Sequence, residues 1–507
     1  MLKVATNEFR LIIYLFGVAA LASSVRGAIG DQLWVQRYNG PGNGGDNAFA
    51  IAVDGGGNVF VAGYSTGTAG VAEYATIKYS DAGVSLWTNR YHGIGTGSDE
   101  AHALAVDRNG DVVVTGHSSG SGSDYDYATI KYSGAGVPLW TNRYTILADT
   151  ARATAVALDT NGNVFVTGYS DGSGLATLKY SSEGTTLWTN RYVGPAFGGH
   201  YASGIAVDGS GKAFVTGFST GVGSGADFVT VAYSSGGAAL WTNRFNGAGN
   251  GDDWANAMAI DGSGNVFVTG GSQIGGMTAF ATLKYSNAGL PLWTNFYQGP
   301  GNSPYGGASD IAVDAAGNVL ITGTSVGSGT YQDFATIKYS NAGVPLWTNR
   351  WDRLYDDAAI AIAADKSGNV FVTGYTTDDS LRFDRLTIGY SSAGVPLWTN
   401  RYNGPGNNDD SGNAVAVDAG GNVLVTGYSH GTNSSTDFAT IKYAGVQPSP
   451  LSIQRANNSL VLSWPNPTFR LQSGPAVTGT FTNVPGATSP FTNPATGSQQ
   501  WFRLKLN

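Results

Sequence analysis

Short apolar runs alternate with turns rich in Gly, Asp and Asn along most of the chain, and this alternation repeats about every 50 residues. Each period holds four runs, typified by AIAVD, VFVTG, ATIKY and LWTNRY. Short runs rich in Val, Ile, Thr and aromatic residues, bounded by turn residues, are typical of β-strands. The pattern therefore predicts four antiparallel strands in each period, joined by tight turns. In turns such as Asp54–Asn58, we expect the Asp side chain to cap the turn and a Gly to supply the positive φ.

A Leu-Trp pair marks the last run of each period, and a version of TNRY follows it. The Trp residues of these pairs are 48 to 54 positions apart. They are Trp34, Trp87, Trp140, Trp188, Trp241, Trp293, Trp347 and Trp398. The other three runs also occur eight times each. Because a four-stranded meander of about 50 residues is the size of one propeller blade, the sequence predicts an all-β, eight-bladed β-propeller.

The order of strands within a blade follows from side-chain size. Blades narrow toward the propeller axis, so the Ala-rich AIAVD run suits the innermost strand and LWTNRY suits the outer edge. The first marker, Trp34, has no blade before it, and the last ATIKY run, ending at Tyr443, has no outer strand after it. We expect Leu33–Tyr38 to pair with that run and close the ring, which removes exposed strand edges. An open or split array is the alternative.

Every Trp of the repeat follows a Gly by four positions, as in Gly30/Trp34 and Gly394/Trp398. We expect the Gly to form the turn and the Trp to pack on the neighbouring blade. This local pattern resembles the tryptophan-docking motif of quinoprotein dehydrogenases, which are eight-bladed propellers. The chain has no Cys, so it has nothing to match the vicinal disulfide of many of those enzymes.

Two stretches represent the repeat well: DFATIKYSNAGVPLWTNRW, residues 333–351, and AVAVDAGGNVLVTGYS, residues 414–429. The pattern resembles the SBBP-type bacterial β-propeller repeat family over roughly residues 30–443. That family's name refers to seven blades, whereas this chain offers eight units. The resemblance implies a secreted or surface-associated protein.

The N-terminus has the features of a signal peptide. Lys3 and Arg10 precede an apolar run over residues 11–22, which ends in the A-x-A pattern of a cleavage site. An uncleaved anchor is the alternative. We predict a signal peptide over residues 1–28, the propeller over 29–446, and a linker with a small β-sandwich-like module over 447–507, similar to modules that close many bacterial secreted proteins. We expect a monomer that is secreted or held at the bacterial cell surface, the periplasm being the alternative, with no membrane insertion after cleavage.

Composition narrows the functional classes. Removal of residues 1–28 leaves 24 basic and 34 acidic residues, a net charge of −10, which disfavours nucleic acid as a partner. Most polar residues recur in nearly every unit, which favours structural roles, so we predict no catalytic site. The expected function is a non-catalytic scaffold that binds glycans or proteins. The alternative is a propeller enzyme, either a quinoprotein-like oxidoreductase or a polysaccharide-degrading enzyme.

Two sets of loops open on one face of the predicted propeller, and both are acidic. Carboxylates in flexible loops suit Ca²⁺, and we expect no other cofactor. The proposed metal ligands are Asp46, Asp99, Asp252, Asp253, Asp356, Asp357, Asp409 and Asp410. Backbone capping or pairing with Arg is the alternative for these acids.

Aromatic residues and a histidine interrupt the repeat in the same loops. Exposed rings beside polar groups can stack on sugars. The proposed ligand-binding residues are Trp254, Trp351, Tyr355, Tyr201 and His200. Packing against the next blade is the alternative. His200 and His102 are also the residues that could act as a general base.

Overall fold

The four runs of each repeat form four β-strands in the computed structural model. The structure describes residues 2–4 and 28–506, except 122–123, 147–149, 171, 173, 302–303, 329–330, 354, 446–450, 457–458, 465–468, 476–479 and 495–499. Most of the predicted signal peptide and the predicted linker at 447–450 lie outside the described residues. The chain divides into two compact units, one of residues 29–445 and one of residues 1–28 with 446–507.

Seven consecutive sheets of residues 29–445 each take their four strands in chain order, and every neighbouring pair of strands is antiparallel. Sheet 1 contains Asp46–Val53, Val59–Thr66, Ala72–Tyr79 and Ser85–Tyr91; sheet 2 contains Asp99–Val106, Val112–Ser119, Tyr125–Tyr132 and Pro138–Tyr144; sheet 3 contains Ala151–Leu158, Val164–Ser170, Gly174–Tyr180 and Thr186–Tyr192; sheet 4 contains His200–Val207, Ala213–Thr220, Ala226–Tyr233 and Ala239–Phe245. Sheet 5 contains Asp253–Ile260, Val266–Ile274, Met277–Tyr285 and Pro291–Tyr297; sheet 6 contains Gly306–Val313, Val319–Val326, Gln332–Tyr339 and Pro345–Trp351; sheet 7 contains Asp357–Ala364, Val370–Thr377, Phe383–Tyr390 and Pro396–Tyr402.

Sheet 8 joins the two ends of this unit. It contains Asp410–Val417, Val423–His430 and Thr436–Tyr443, and its fourth strand is Gln32–Tyr38. The ladder pairs Trp34 with Lys442 and Tyr38 with Phe438. The pairing predicted for the N-terminal strand is therefore observed.

The hairpin turns have the chemistry that the sequence predicts. The Asp54 Oδ1 atom accepts hydrogen bonds from the amides of Gly56 and Asn58, both at 2.9 Å. Gly57 between them has a φ of 83°, a conformation that favours glycine. A β-bulge interrupts the first strand of every sheet, as between Ala48 and Ala50 of sheet 1. The extra residue at the bulge turns the following part of the strand and changes where its side chain lies.

The core lies between neighbouring sheets. Phe60 of sheet 1 packs with Val112 and Ile130 of sheet 2, and all three side chains are buried. Leu424 and Phe438 of sheet 8 pack in the same way against sheet 1. The first strand of each sheet contacts the first strand of the next sheet, and Asp410–Val417 of sheet 8 contacts Asp46–Val53 of sheet 1.

Each repeat Trp packs on a Gly of the following sheet, as the sequence predicts. A Cβ atom placed on Gly83 would lie 2.8 Å from the indole of Trp34, so the ring and the turn are in close contact. The pairs are Trp34 with Gly83, Trp87 with Gly136, Trp140 with Gly184, Trp188 with Gly237, Trp241 with Gly289, Trp293 with Gly343, Trp347 with Gly394 and Trp398 with Gly30. The last pair again links sheet 7 to the segment that enters sheet 8.

The second unit contains two small sheets. One pairs Leu2–Val4, Gln500–Leu506, Phe469–Gly474 and Thr482–Asn483, in that order across the sheet. The other pairs Ser452–Ala456, Ser459–Ser463 and Phe491–Pro494. Leu462, Leu471 and Phe502 form their shared core. Within the described ranges, no helical segment has the length and apolar character that a membrane crossing requires.

Candidate functional site

The face at which the first strands begin carries the two loop sets that the sequence analysis singled out. We call it the loop face. It consists of the described residues of two sets of connections. The first set leads into each first strand (residues 39–45, 92–98, 145–150, 193–199, 246–252, 298–305, 352–356 and 403–409), and the second joins second and third strands (residues 67–71, 120–124, 171–173, 221–225, 275–276, 327–331, 378–382 and 431–435). Antiparallel pairing within each sheet brings both sets to the same end.

Arginines of the fourth strands hold the carboxylates that follow the second loop set. Arg90 donates to the Ser65 hydroxyl at 2.7 Å and to the Tyr38 hydroxyl of the preceding sheet at 3.0 Å. Its Nε lies 2.8 Å from the Glu73 carboxylate. The equivalent ion pairs are Arg37–Asp437, Arg143–Asp126, Arg244–Asp227, Arg350–Asp333 and Arg401–Asp384. These acids are counter-ions of arginines that connect strands and neighbouring sheets.

The proposed metal ligands of the first loop set bond to backbone amides. The Asp99 carboxylate, which is fully buried, accepts from the amides of Gly93 at 2.9 Å and Ser119 at 3.0 Å. Asp46, Asp253, Asp357 and Asp410 accept in the same way from the amides of Gly40, Gly247, Arg353 and Gly404. Asp252, Asp356 and Asp409 accept from the amides of Ala226, Gln332 and Phe383. Each acid therefore caps a loop, and its binding of Ca²⁺ stays a prediction.

Four of the five proposed ligand-binding residues pack against neighbouring strands. Tyr201 stacks on Phe218 at 4.8 Å, and the indole of Trp254 lies against Gly271. Trp351 packs on the core of sheet 7. His200 is buried at the position that Asp46 and its equivalents occupy, and its Nδ1 lies 2.8 Å from the Ser219 hydroxyl. Burial and the nearby Arg244 lower the pKa of His200.

Tyr355 has a different environment on the loop face. Its ring lies 6.1 Å from the ring of Tyr331, and the two planes are inclined by 30°. Tyr331 belongs to the loop between the second and third strands of sheet 6 and is 58% exposed. Asp356, next in the chain to Tyr355, is also exposed. The two rings and the carboxylate form a half-open aromatic surface that we call the tyrosine pair.

A polar cluster specific to sheet 2 contains Glu100, His102 and His117. The ladder places Glu100 directly opposite His117, and the bulge between Ala101 and Ala103 brings in His102. His102 Nε2 lies 2.9 Å from His117 Nδ1. Among the described residues, this is the one group of at least three His, Cys, Asp or Glu residues whose ligand atoms all lie within 4.8 Å of one another.

Burial and a neighbouring cation control the charge of this cluster. Burial, helped by the charge of Arg152, lowers the pKa of His102 to about 4. Burial, His102 and Arg152 together lower the pKa of His117 to about 3. Burial raises the pKa of Glu100, although Arg152 opposes the shift. Both imidazoles are therefore neutral at pH 7.

A cavity of about 320 Å³ opens beside the cluster, between the first strands of sheets 1 to 3. Its lining residues are Phe49, His102, Arg152, Thr154 and Tyr169. The Arg152 guanidinium lies over the ring of Tyr125 at 4.9 Å, and no carboxylate of the described residues lies within ion-pair distance of it. The cavity thus combines two aromatic walls with a cation and an imidazole.

Sequence reasoning singled out His102 but missed the contributions of His117 and Arg152. A column-by-column comparison of the repeats contains the signal. His102 stands where sheet 1 has Phe49, and His117 stands where sheet 1 has Tyr64. Neither position carries His in any other sheet.

The model of the β-propeller repeat family named SBBP matches residues 139–176 and 352–382. A comparison with curated proteins found no match. Sqt1 from Chaetomium thermophilum is similar in structure, with 13% identity and a TM-score of 0.50 over 81% of this chain and 99% of that chain. The Pan2 WD40 domain of Neurospora crassa has 10% identity and a TM-score of 0.42 over 68% of this chain and 92% of that chain.

The match to the repeat-family model and the similarity to Sqt1 define the class of protein as an all-β chain of β-propeller type. More particularly, the chain carries SBBP β-propeller repeats in those two matched regions, which confirms the resemblance seen in the sequence.

Proposed function

We propose that the protein is a secreted, non-catalytic, eight-bladed β-propeller that binds a glycan at its loop face. Three contacts between the first and last parts of the repeat array support a closed ring of eight blades. Gln32–Tyr38 pairs with Thr436–Tyr443, Trp398 packs on Gly30, and Asn413 Nδ2 donates to the Ala48 carbonyl at 2.9 Å. The strand pairing repeats one found within each interior sheet, and the other two contacts repeat contacts found between neighbouring interior sheets.

The polar groups of the repeat support a scaffold role because they bond to one another. The arginine, carboxylate and hydroxyl groups of Arg90, Glu73 and Ser65 illustrate the pattern, which returns in most sheets. Lysines of the third strands behave similarly, as in the ion pair between Lys338 and Asp314 at 2.9 Å. Ligand contacts must then come from side chains that break the repeat.

The tyrosine pair carries the glycan proposal. Tyrosine rings offer apolar faces to the C–H faces of a sugar ring, while carboxylates and hydroxyls accept and donate hydrogen bonds at its rim. Tyr331 and Tyr355 present two such faces beside the exposed Asp356. With a net charge of −10 on the mature chain, we expect a neutral glycan rather than an acidic one.

A protein partner is the second candidate, and Phe197 favours it. Its side chain is completely exposed on the loop face, near the exposed Val193 of the same loop. Burial of a Phe side chain at an interface is worth about 1.5–3 kcal/mol. Aromatic anchors of this kind often dominate binding to another protein.

A glycan array with matched variants tests the proposal. We expect the wild-type protein to bind neutral oligosaccharides, and Tyr331→Ala to abolish that binding while leaving the melting temperature unchanged. Phe197→Ser, on a different loop, serves as the matched control and should retain the binding. Absence of any glycan signal, or signals that survive Tyr331→Ala and disappear in Phe197→Ser, would overturn the glycan assignment and favour a protein partner.

A further inference from the structure

We propose that Glu100, His102 and His117 bind one divalent transition-metal ion of the zinc type at the inner end of sheet 2. The site is separate from the tyrosine pair and does not depend on the proposed glycan binding. Two imidazoles and one carboxylate are a ligand set that Zn²⁺ accepts, leaving a fourth position for water or another ligand. Ca²⁺ fits poorly here because it prefers six to eight oxygen ligands.

The backbone brings the three side chains together. Glu100 and His117 are directly opposite each other on paired strands, and His102 is the extra residue of the adjoining bulge. The nitrogens of His102 and His117 are 2.9 Å apart. Two nitrogens at about 2.0–2.1 Å from a tetrahedral Zn²⁺ lie roughly 3.3 Å apart, so a shift of about 0.4 Å would admit the ion.

Aromatic contacts hold both imidazole rings in place. His102 stacks on Phe49 at 5.5 Å, and the rings of His117 and Tyr125 pack in a T-shape at 4.7 Å. Rings fixed in this way lose little rotational freedom when they bind a metal, which favours affinity. His117 is also almost fully buried, which limits competition from bulk water.

Arg152 determines what would complete the site. The positive charge of Arg152 repels the metal ion, and the negative charge of the Glu100 carboxylate offsets that repulsion. Because Arg152 and His102 both line the cavity, an anionic ligand there would contact the guanidinium and the metal together. We therefore expect a small carboxylate or hydroxide as the fourth ligand.

Residues at the same positions in other sheets provide substitutions that test the site, because the repeat already accommodates their side chains there. His102→Phe and His117→Tyr introduce the residues that sheet 1 has at the same positions, Phe49 and Tyr64. His200→Asp removes a histidine elsewhere and introduces the residue that most sheets have at that position, so it is the matched control. Circular dichroism and thermal melting check that each variant folds.

Purified protein is stripped with a chelator and titrated with Co²⁺ alone and then with Zn²⁺ alone. We expect one equivalent of Co²⁺ to bind per chain and to give a visible d–d absorption band. Zn²⁺ should displace the bound Co²⁺ and thereby remove the band. His200→Asp should behave like the wild type, whereas folded His102→Phe and His117→Tyr should lack the saturable band. Absence of stoichiometric binding by the wild type, or full binding by the two folded variants, would overturn the proposal and leave a neutral hydrogen-bonded histidine pair.

Discussion

Asn413 donates a hydrogen bond from Nδ2 to the backbone carbonyl of Ala48, which lies 365 positions earlier in the chain. The same link joins the first strands of interior sheets. Thr154 donates to Ala202, Ser203 to Ala255, and Asn256 to Ala308, each at 2.8 Å. The contact between sheets 8 and 1 is therefore built like the contacts between consecutive sheets.

We predict that Asn256→Ala destabilises the protein by about 1 kcal/mol, because it removes a hydrogen bond to the Ala308 carbonyl of the next sheet. Asn413→Ala should cost about 1–2 kcal/mol, because Asn413 donates both to the Ala48 carbonyl and to Asn47 Oδ1 of sheet 1. Chemical denaturation of both variants measures the difference. If Asn256→Ala shifts the unfolding midpoint and Asn413→Ala does not, the contact between sheets 8 and 1 contributes nothing to stability. That result would contradict the proposed closed ring.

Sheet 5 lacks the contacts that Arg90 and its equivalents make with a carboxylate and a Tyr hydroxyl. Three residues of these contacts are replaced together. Phe296 stands where seven sheets have Arg, Ala279 stands where six have a carboxylate, and Phe245 stands where Arg90 and its equivalents find a Tyr hydroxyl. We predict that Ala279→Asp alone costs about 1–3 kcal/mol because it buries an unpaired carboxylate. Adding Phe296→Arg should recover most of that loss. A double-mutant cycle by denaturation checks this, and additive effects would show that the two positions do not interact.

Arg385 replaces the aromatic residue that most third strands carry, and it is fully buried. It donates to the carbonyls of Ser411, Tyr428 and Ala439 in sheet 8, and burial lowers its pKa. In sheet 1, Tyr74 donates from its hydroxyl to the equivalent carbonyl, that of Ala128.

We predict that Arg385→Met destabilises the protein by about 1–3 kcal/mol, because it removes three hydrogen bonds to carbonyl groups of sheet 8. Arg385→Tyr should lose less, since its hydroxyl can reach the Ala439 carbonyl. Thermal unfolding of both variants provides the comparison. Equal melting temperatures for the two would contradict a role for the hydrogen bonds.

Asp310 takes the place of a small residue in the first strand of sheet 6. Its carboxylate accepts from the amide of Ile362 in sheet 7 at 2.9 Å, and burial raises its pKa from 3.8 to about 6. A carboxyl whose folded-state pKa is raised binds more protons in the folded state, so its contribution to stability rises as the pH falls from 6 toward 4.

Asp310→Asn keeps an acceptor for the Ile362 amide and removes the titration. We predict that the stability of the wild type relative to Asp310→Asn increases between pH 6 and pH 4, and is constant above about pH 7. Denaturation midpoints across this range measure it. Parallel curves for the two proteins would show that Asp310 does not titrate in this window.

Much of the scaffold was predictable because the same pattern of strands and turns occurs eight times in the sequence. The strand order, the Asp54-type turns and the Trp–Gly contacts all follow from spacing and side-chain size, and the structure confirms them. The pairing of Leu33–Tyr38 with Thr436–Tyr443 was predictable because the repeat array begins with an unmatched fourth strand and ends with an unmatched third strand.

The site residues were harder to predict because their roles depend on loop paths. Asp99 is a suitable metal ligand by its chemistry, yet the loop before it folds back and directs the Gly93 amide at its carboxylate. The tyrosine pair joins two loops, at Tyr331 and Tyr355, whose proximity no local pattern encodes. The histidine cluster depends on a bulge that moves His102 out of simple alternation.

The pairing within sheet 8 also has a consequence for biosynthesis. Arg37 and Asp437, which form an ion pair in that sheet, are 400 positions apart. At roughly 5–20 residues per second, a ribosome needs roughly 20–80 s to make that intervening stretch. Throughout this interval Gln32–Tyr38, which contains Trp34, has been made but its partner strand has not. The nascent chain therefore carries an unpaired aromatic strand for most of its synthesis, and a factor that shields this strand would act before the ring can close.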